Sequence, residues 1–282
     1  MSEKAYLDLL REVLTYGEHK TDRTGTGTLS VFGGVSLRFD MREGFPLLTT
    51  KKVYWKSVWS ELRWFLDGCN DVTRLESEGV RIWTPWKRAD GTIGHGTYGE
   101  GWRNFPGIDS LGWDTTVDQL QEVIELLRKE PTTRRALVSA WNPARIDCAA
   151  LPPCHYSFQF QGTEDGWLDI SYAMRSNDLF LGAPFNIASY AALLILVAEC
   201  VGMKPRFVIH NVTGDAHIYD NHLEAVELQL SRDILPGRAK ISIRDGAVLR
   251  HEDGTWLKGL SGFDLVLDEY THHPAIPAPI AV

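Results

Sequence analysis

Cysteine is scarce, and the four copies present, Cys69, Cys148, Cys154 and Cys200, form no CxxC pair. That argues against a zinc ribbon or a redox dithiol. There is no HExxH helix and no GK[ST] phosphate loop, so the common signatures of a zinc protease or a P-loop nucleotidase are missing. Long apolar runs are missing too. The longest, Ala188–Val201, is interrupted by Ser189, Tyr190 and Glu199 and is too short to span a bilayer. The opening MSEKAYLDLLREVL carries neither an apolar core nor a cleavage site of a secretory leader. The expectation is a cytoplasmic protein with reduced thiols available for chemistry and no membrane association. Basic charge is in deficit: a net charge of −8 disfavours nucleic acid as an obligatory partner, and an anionic small molecule would need a local basic pocket. No repeat or low-complexity segment is present.

Tryptophan, by contrast, is plentiful. Ten copies serve either a dense core or aromatic walls for a flat ligand. The length of 282 residues suits one domain, 1–282, with a candidate small irregular subdomain at about 67–106, where Gly, Pro, Asp and Trp concentrate. Apolar spacing predicts helices over Ala5–Tyr16, Trp55–Leu66, Val117–Lys129 (stopped by Pro131), Asn186–Val201 and Tyr219–Ser231. The second last of these is apolar nearly all round and should be the central buried helix. Strands are predicted over Leu29–Phe39, with a turn at Gly33–Gly34, and over Arg135–Trp141, Tyr156–Gln161, Trp167–Ala173, Phe207–Asn211, Ala239–Ile243 and Phe263–Leu267. Helices and strands mix without regular βαβ alternation, which indicates an α+β fold.

Reactive residues gather in a few segments. LPPCH at Leu151–His155 sets Cys154 on a backbone stiffened by two prolines, beside His155. A Cys-His pair alone is unspecific; cations nearby would make it reactive, because they favour the thiolate. Candidates are Arg175 in RSND, the pair Arg134–Arg135, and Arg23 in the loop DRTGTGT at Asp22–Thr28. Arginine also suits bidentate phosphate contacts, although an Arg pair alone is often a solvated patch. Asn186 opens the apolar helix, either as its N-cap or as an amide that donates and accepts at once, as reading a uracil edge requires. His217, Tyr219 and His222 cluster near a helix start; metal ligation and ribose recognition are both compatible with them.

In this order, DRTGTGT, FPLLTTKKVYWKSVWSELRWFL (45–66), IWTPW (82–86), YGEGWR (98–103), TTRRALVSAWNP (132–143), ALPPCH (150–155), MRSNDLFLGAPFNIASY (174–190), GDAHIYDNH (214–222) and the terminal PIAV resemble the thymidylate synthase family, which includes pyrimidine nucleotide hydroxymethylases. The resemblance runs end to end. It implies a thymidylate synthase-like α+β fold whose large mixed β-sheet forms a homodimer interface. It implies Cys154 as nucleophile on C6 of dUMP and Glu61, Tyr98 and His155 in acid/base and water-ordering roles. Arg23, Arg175, Ser176 and the partner-donated Arg134 and Arg135 would hold the phosphate. His217 and Tyr219 would hold the ribose, and Asn186 the base. Asp178 would serve both dUMP and the co-substrate 5,10-methylenetetrahydrofolate, whose pocket would use Trp83, Trp86, Leu181, Gly182 and Phe185 under a tail containing Ala281. No metal is implied.

The implied reaction is reductive methylation to dTMP; delivery of water in place of hydride would give 5-hydroxymethyl-dUMP. A catalytically inactive nucleotide- or RNA-binding homologue is a further reading, opposed by the intact Cys154, Arg175, Asp178 and Asn186. Cytosine-selecting hydroxymethylases of phages carry Asp at the position of Asn186, so Asn186 favours uracil; a phage-encoded chain would act in the host cytoplasm. Met174, Thr84–Pro85, Gly101, the GCND segment at Gly68–Asp71 and an extra residue before Tyr98 depart from the common pattern. These departures fall mostly on the folate side, which is expected to have drifted while the nucleotide side has not.

Overall fold

The computed structural model describes residues 3–282. The chain starts with helix α1 (Glu3–Tyr16), which buries Tyr6, Leu7, Leu9, Leu10 and Val13 as its apolar stripe requires. Strands β1 (Glu18–Lys20), β2 (Thr28–Phe32) and β3 (Val35–Asp40) follow, then helix α2 (Trp55–Leu66). Three short elements come next: α3 (Val72–Ser77), a 3-10 turn at Thr84–Trp86, and α4 (Tyr98–Arg103). The sequence of this stretch reads as irregular because helices of one or two turns are too short to show a period. The buried Val72, Trp83, Tyr98 and Trp102 join the main apolar core.

The hairpin β4 (Phe105–Ile108) and β5 (Asp114–Val117) precedes α5 (Gln119–Lys129). α5 starts two residues later than its periodicity predicts, because the Asp118 carboxylate caps it by accepting the Gln121 N–H at 3.0 Å. Then come β6 (Leu137–Ser139), β7 (His155–Gly162), β8 (Trp167–Asp178), α6 (Gly182–Val201), β9 (Lys204–Tyr219), α7 (Leu223–Leu230), β10 (Lys240–Ile243) and β11 (Leu265–Glu269). Strand β6 is shorter than expected. The predicted helix over 219–231 is instead the end of β9, a 3-10 turn at Asp220–His222, and α7.

The fold is α+β, around a seven-stranded mixed sheet in the order β1-β2-β9-β8-β7-β6, with β3 also paired to β9. Only β8 and β9 run parallel. Helix α6 connects these two and packs on both. By length and composition it could cross a membrane, yet it lies in the core, with Leu193, Leu194, Leu196 and Val197 wholly buried. Each such side chain contributes roughly 1.5–3 kcal/mol by leaving water.

The expected turn at Gly33–Gly34 is a kink. β2 and β3 run in succession along the same strand, Phe32 opposite Asp215 and Val35 opposite Val212. Both glycines have positive φ, 69° and 74°, and the Gly33 N–H donates to the Gly214 carbonyl at 2.7 Å. The register also slips between His155 and Ser157 in β7 and between Met174 and Ser176 in β8. The irregularities therefore line up across the sheet and re-aim side chains there. Gly214 is needed at the crossing, since a Cβ on it would stand 2.0 Å from the Arg175 carbonyl oxygen. In β8 the slip reverses the alternation: Tyr172 and Met174 face the core before it, Asn177 after it.

Candidate active site

Most of the residues singled out in the sequence, though not Arg134 and Arg135, gather near the carboxyl ends of the two parallel strands, where open sheets leave a crevice. Arg175–Asp178 lie within β8, which runs beyond its expected end, and Asp178 stands opposite His217 of β9. Cys154 sits just before β7, its carbonyl accepting the Arg175 N–H at 2.9 Å. The two prolines do more than stiffen the chain. Their carbonyls grip the Arg175 side chain, Pro153 O at 2.8 Å and Pro152 O at 2.7 Å. So held, the guanidinium reaches the Cys154 Sγ at 3.7 Å and lies 5.6 Å from the centre of the Trp141 ring. Burial pushes the Cys154 thiol above its ordinary value, with Arg175 pulling the other way. Arg175 favours the thiolate, against a larger opposing effect of burial in the isolated chain.

Tyr98, at the start of α4, accepts the Cys154 backbone N–H on its hydroxyl at 2.7 Å. Its ring stacks on His155 with centroids 3.9 Å apart. His155 Nδ1 and the Tyr190 hydroxyl are 2.8 Å apart, and burial pushes the imidazole down to about 3, so it is neutral at ordinary pH. Glu61 of α2 accepts the Trp83 indole N–H at 2.7 Å. Burial pushes this carboxyl up to about 7, where it exchanges protons readily.

Asn186 lies inside α6, which begins four residues earlier, so it does not cap the helix. The helix has no side-chain cap: the Asp178 Oδ1 accepts the Phe180 and Leu181 N–H groups, at 2.9 and 3.1 Å, in the turn that leads into it. The Asn186 Oδ1 accepts the Asn177 Nδ2 at 3.2 Å. His217 and Tyr219 lie on the end of β9, directly before the 3-10 turn that leads into α7; His217 Nδ1 is 2.8 Å from Asp215 Oδ1, and Tyr219 packs edge-on at 5.0 Å. His222 is engaged by the tail, its Nε2 2.7 Å from the Pro279 carbonyl oxygen. Among the described residues no group of three or more His, Cys, Asp or Glu could hold a metal.

The thymidylate synthase family model matches residues 4–282. The chain belongs to the thymidylate synthase family. Membership implies a folate-dependent one-carbon transferase acting on dUMP, by methylation or hydroxymethylation.

The candidates for phosphate contact divide into two groups. Arg175 and Ser176 lie at the site, and Arg23 is exposed on a loop that Asp22 braces by accepting the Thr24 and Gly27 N–H groups, each at 3.0 Å. Arg134 and Arg135 are not brought to Cys154. They are exposed before β6, near the far end of β7, where Phe160 N–H donates to the Ala136 carbonyl. Phe160 is six residue steps along the chain from Cys154, roughly 20 Å in extended strand.

The folate-side candidates form one wall. Trp83 and Trp86 meet edge to face at 5.6 Å, and Trp83 and Tyr98 at 5.9 Å. Gly182 leaves a recess, since a Cβ there would come within 3.6–3.9 Å of Asp178, Asn186 and Asn177. The Trp86 indole N–H is buried with no partner, so a ligand acceptor would satisfy it. Leu181 and Phe185 line the α6 side, and Ala281 is buried in the tail. These features fit a flat heteroaromatic co-substrate.

Four participants escaped the sequence reading. Trp141, Tyr190 and Asn177 stand in quoted segments, but only the fold shows their contacts. Lys51 is buried with its Nζ donating to the Phe180 carbonyl, and burial pushes it down to about 7. Nothing in its local sequence marks a buried lysine.

Proposed function

We propose that this chain converts dUMP to dTMP by reductive methylation with 5,10-methylenetetrahydrofolate. The observation that supports this most is the Cys154 Sγ held 3.7 Å from Arg175 at the foot of the Tyr98, Trp83 and Trp86 wall. Cys154 adds to C6 of the pyrimidine, and charge moves to C5 and O4. The Asn186 amide N–H stabilises O4, with water ordered by Glu61 and His155. His217 and Tyr219 hold the ribose, and Arg23, Arg175 and Ser176 the phosphate. A water carried by Tyr98 takes the C5 proton, and Cys154 leaves when C6 is restored. Trp83, Trp86, Asp178, Leu181, Gly182 and Phe185 would hold the folate, which supplies the one-carbon unit and the hydride. The buried Ala281 and the His222–Pro279 contact tie the tail down over this region, and a dry site favours hydride over water.

The active form is a homodimer, with Arg134 and Arg135 completing the partner's phosphate site. Their exposure and their distance from Cys154 in the same chain support that arrangement, as do Phe32 and Leu137, left exposed on the sheet at 79% and 50%.

The test is incubation with dUMP and 5,10-methylenetetrahydrofolate, with the nucleotide identified by mass spectrometry and dihydrofolate followed by absorbance. A 5-methyl product with equimolar dihydrofolate supports the proposal. A 5-hydroxymethyl product without dihydrofolate overturns it in favour of hydration.

A further inference from the structure

Asn177 is 2% exposed and faces α6 because the slip beside Arg175 turned it inward. Its Nδ2 donates to the Asn186 Oδ1 at 3.2 Å, and its own Oδ1 is buried without a partner. Two arrangements of this amide pair are conceivable. In the one observed, one oxygen lacks a partner. With both amides turned over, Asn186 would donate to Asn177, and a buried NH₂ with two protons would be stranded instead. A bare oxygen is tolerated better than orphaned N–H groups.

We infer that Asn177 is a positioning residue that fixes the Asn186 amide so that the site selects a 4-oxo over a 4-amino pyrimidine nucleotide. With its oxygen held by Asn177, Asn186 keeps its N–H free to donate to O4. The second lone pair of that oxygen remains for a protonated N3. A 4-amino base with an unprotonated N3 needs the reversed amide, which the pair disfavours. The inference rests on the proposed reading of the base by Asn186, and the test separates the two.

The ratio of dUMP to dCMP binding constants, measured without folate, is compared in four proteins: wild type, Asn177→Asp, Asn177→Ala and Asn186→Asp. An acceptor-only carboxylate at 177 should draw the Asn186 NH₂ and lower the ratio roughly tenfold or more, about 1.4 kcal/mol. Asn177→Ala, which creates no new charge, should lower it less. A purely structural role would weaken both nucleotides in proportion and leave the ratio unmoved. An unmoved ratio in both Asn177 variants, with a shift in Asn186→Asp, overturns the inference alone. No shift in any variant overturns the base reading, and the inference with it.

Discussion

The Tyr98 ring lies flat on the His155 imidazole, 3.9 Å between centroids and 16° from parallel, while its hydroxyl accepts the Cys154 N–H at 2.7 Å. One side chain thus orders the nucleophile's backbone and covers a neutral histidine. Tyr98→Phe keeps the stack and removes the acceptor. The stranded N–H should cost about 1–3 kcal/mol of stability. If a water on this hydroxyl takes the C5 proton, turnover should fall by roughly 10²–10⁴ while dUMP binding holds. Denaturant unfolding and kcat check the two parts; an undiminished kcat would remove Tyr98 from the proton path.

Glu61 gives a pH signature. Burial raises its carboxyl from 4.5 to about 7, so between those values the folded chain holds a proton that the unfolded chain has lost. The associated stability is complete below pH 4.5 and is lost as pH rises towards 7, on the order of 3 kcal/mol in all. His155 and His210, each pushed down to about 3, produce the opposite slope below 6.5, so the wild-type profile does not isolate the Glu61 contribution. Glu61→Gln removes only the Glu61 contribution and keeps an acceptor for Trp83. Its stability relative to wild type should therefore rise from pH 4.5 to 7. A constant difference would mean that the carboxyl is better solvated than its surroundings indicate.

Much of this was legible in the sequence because long amphipathic or apolar segments announce themselves, as α1, α2 and α6 did. The α+β class followed from their mixture with strands. What escaped depended on partners distant in sequence. The kink at Gly33–Gly34 looks like a hairpin turn until β9 is seen to pair with both flanking strands. Asn186 looks like a cap until the helix is seen to begin at Gly182, after a turn that Asp178 braces. The candidate site residues stand in long motifs, whereas the net state of the Cys154 thiol has no such mark. It is a balance of burial against one cation, and burial has no local signature in LPPCH.

Arg134 and Arg135 have no work at their own chain's Cys154, and the proposed dimer gives them some. Arg134→Ala subunits and Cys154→Ser subunits should each be nearly inactive. Mixed and allowed to exchange, half of the dimers become hybrids, and one of the two sites in each hybrid has both groups intact. Recovery should approach roughly a quarter of wild-type activity per subunit. Exchange shown by native mass spectrometry without recovery would place the phosphate contacts within one chain.

The Cys154 thiol tests how much the Arg175 contact contributes. Burial raises the thiol and Arg175 is the largest influence opposing it. Since only the thiolate alkylates, the rate of iodoacetamide labelling at Cys154 should climb with pH and level off only above the ordinary thiol range. Arg175→Gln removes the cation, so the plateau should move to still higher pH. Peptide mass spectrometry isolates Cys154, and the exposed Cys148 provides a control in the same sample. Arg175 also braces the Pro152 and Pro153 carbonyls, so a loosened loop is the competing effect. Loosening would admit water and lower the thiol's pKa, moving the plateau down. The direction of the shift therefore separates the two: upward if charge dominates at 3.7 Å, downward if Arg175 matters mainly as a brace.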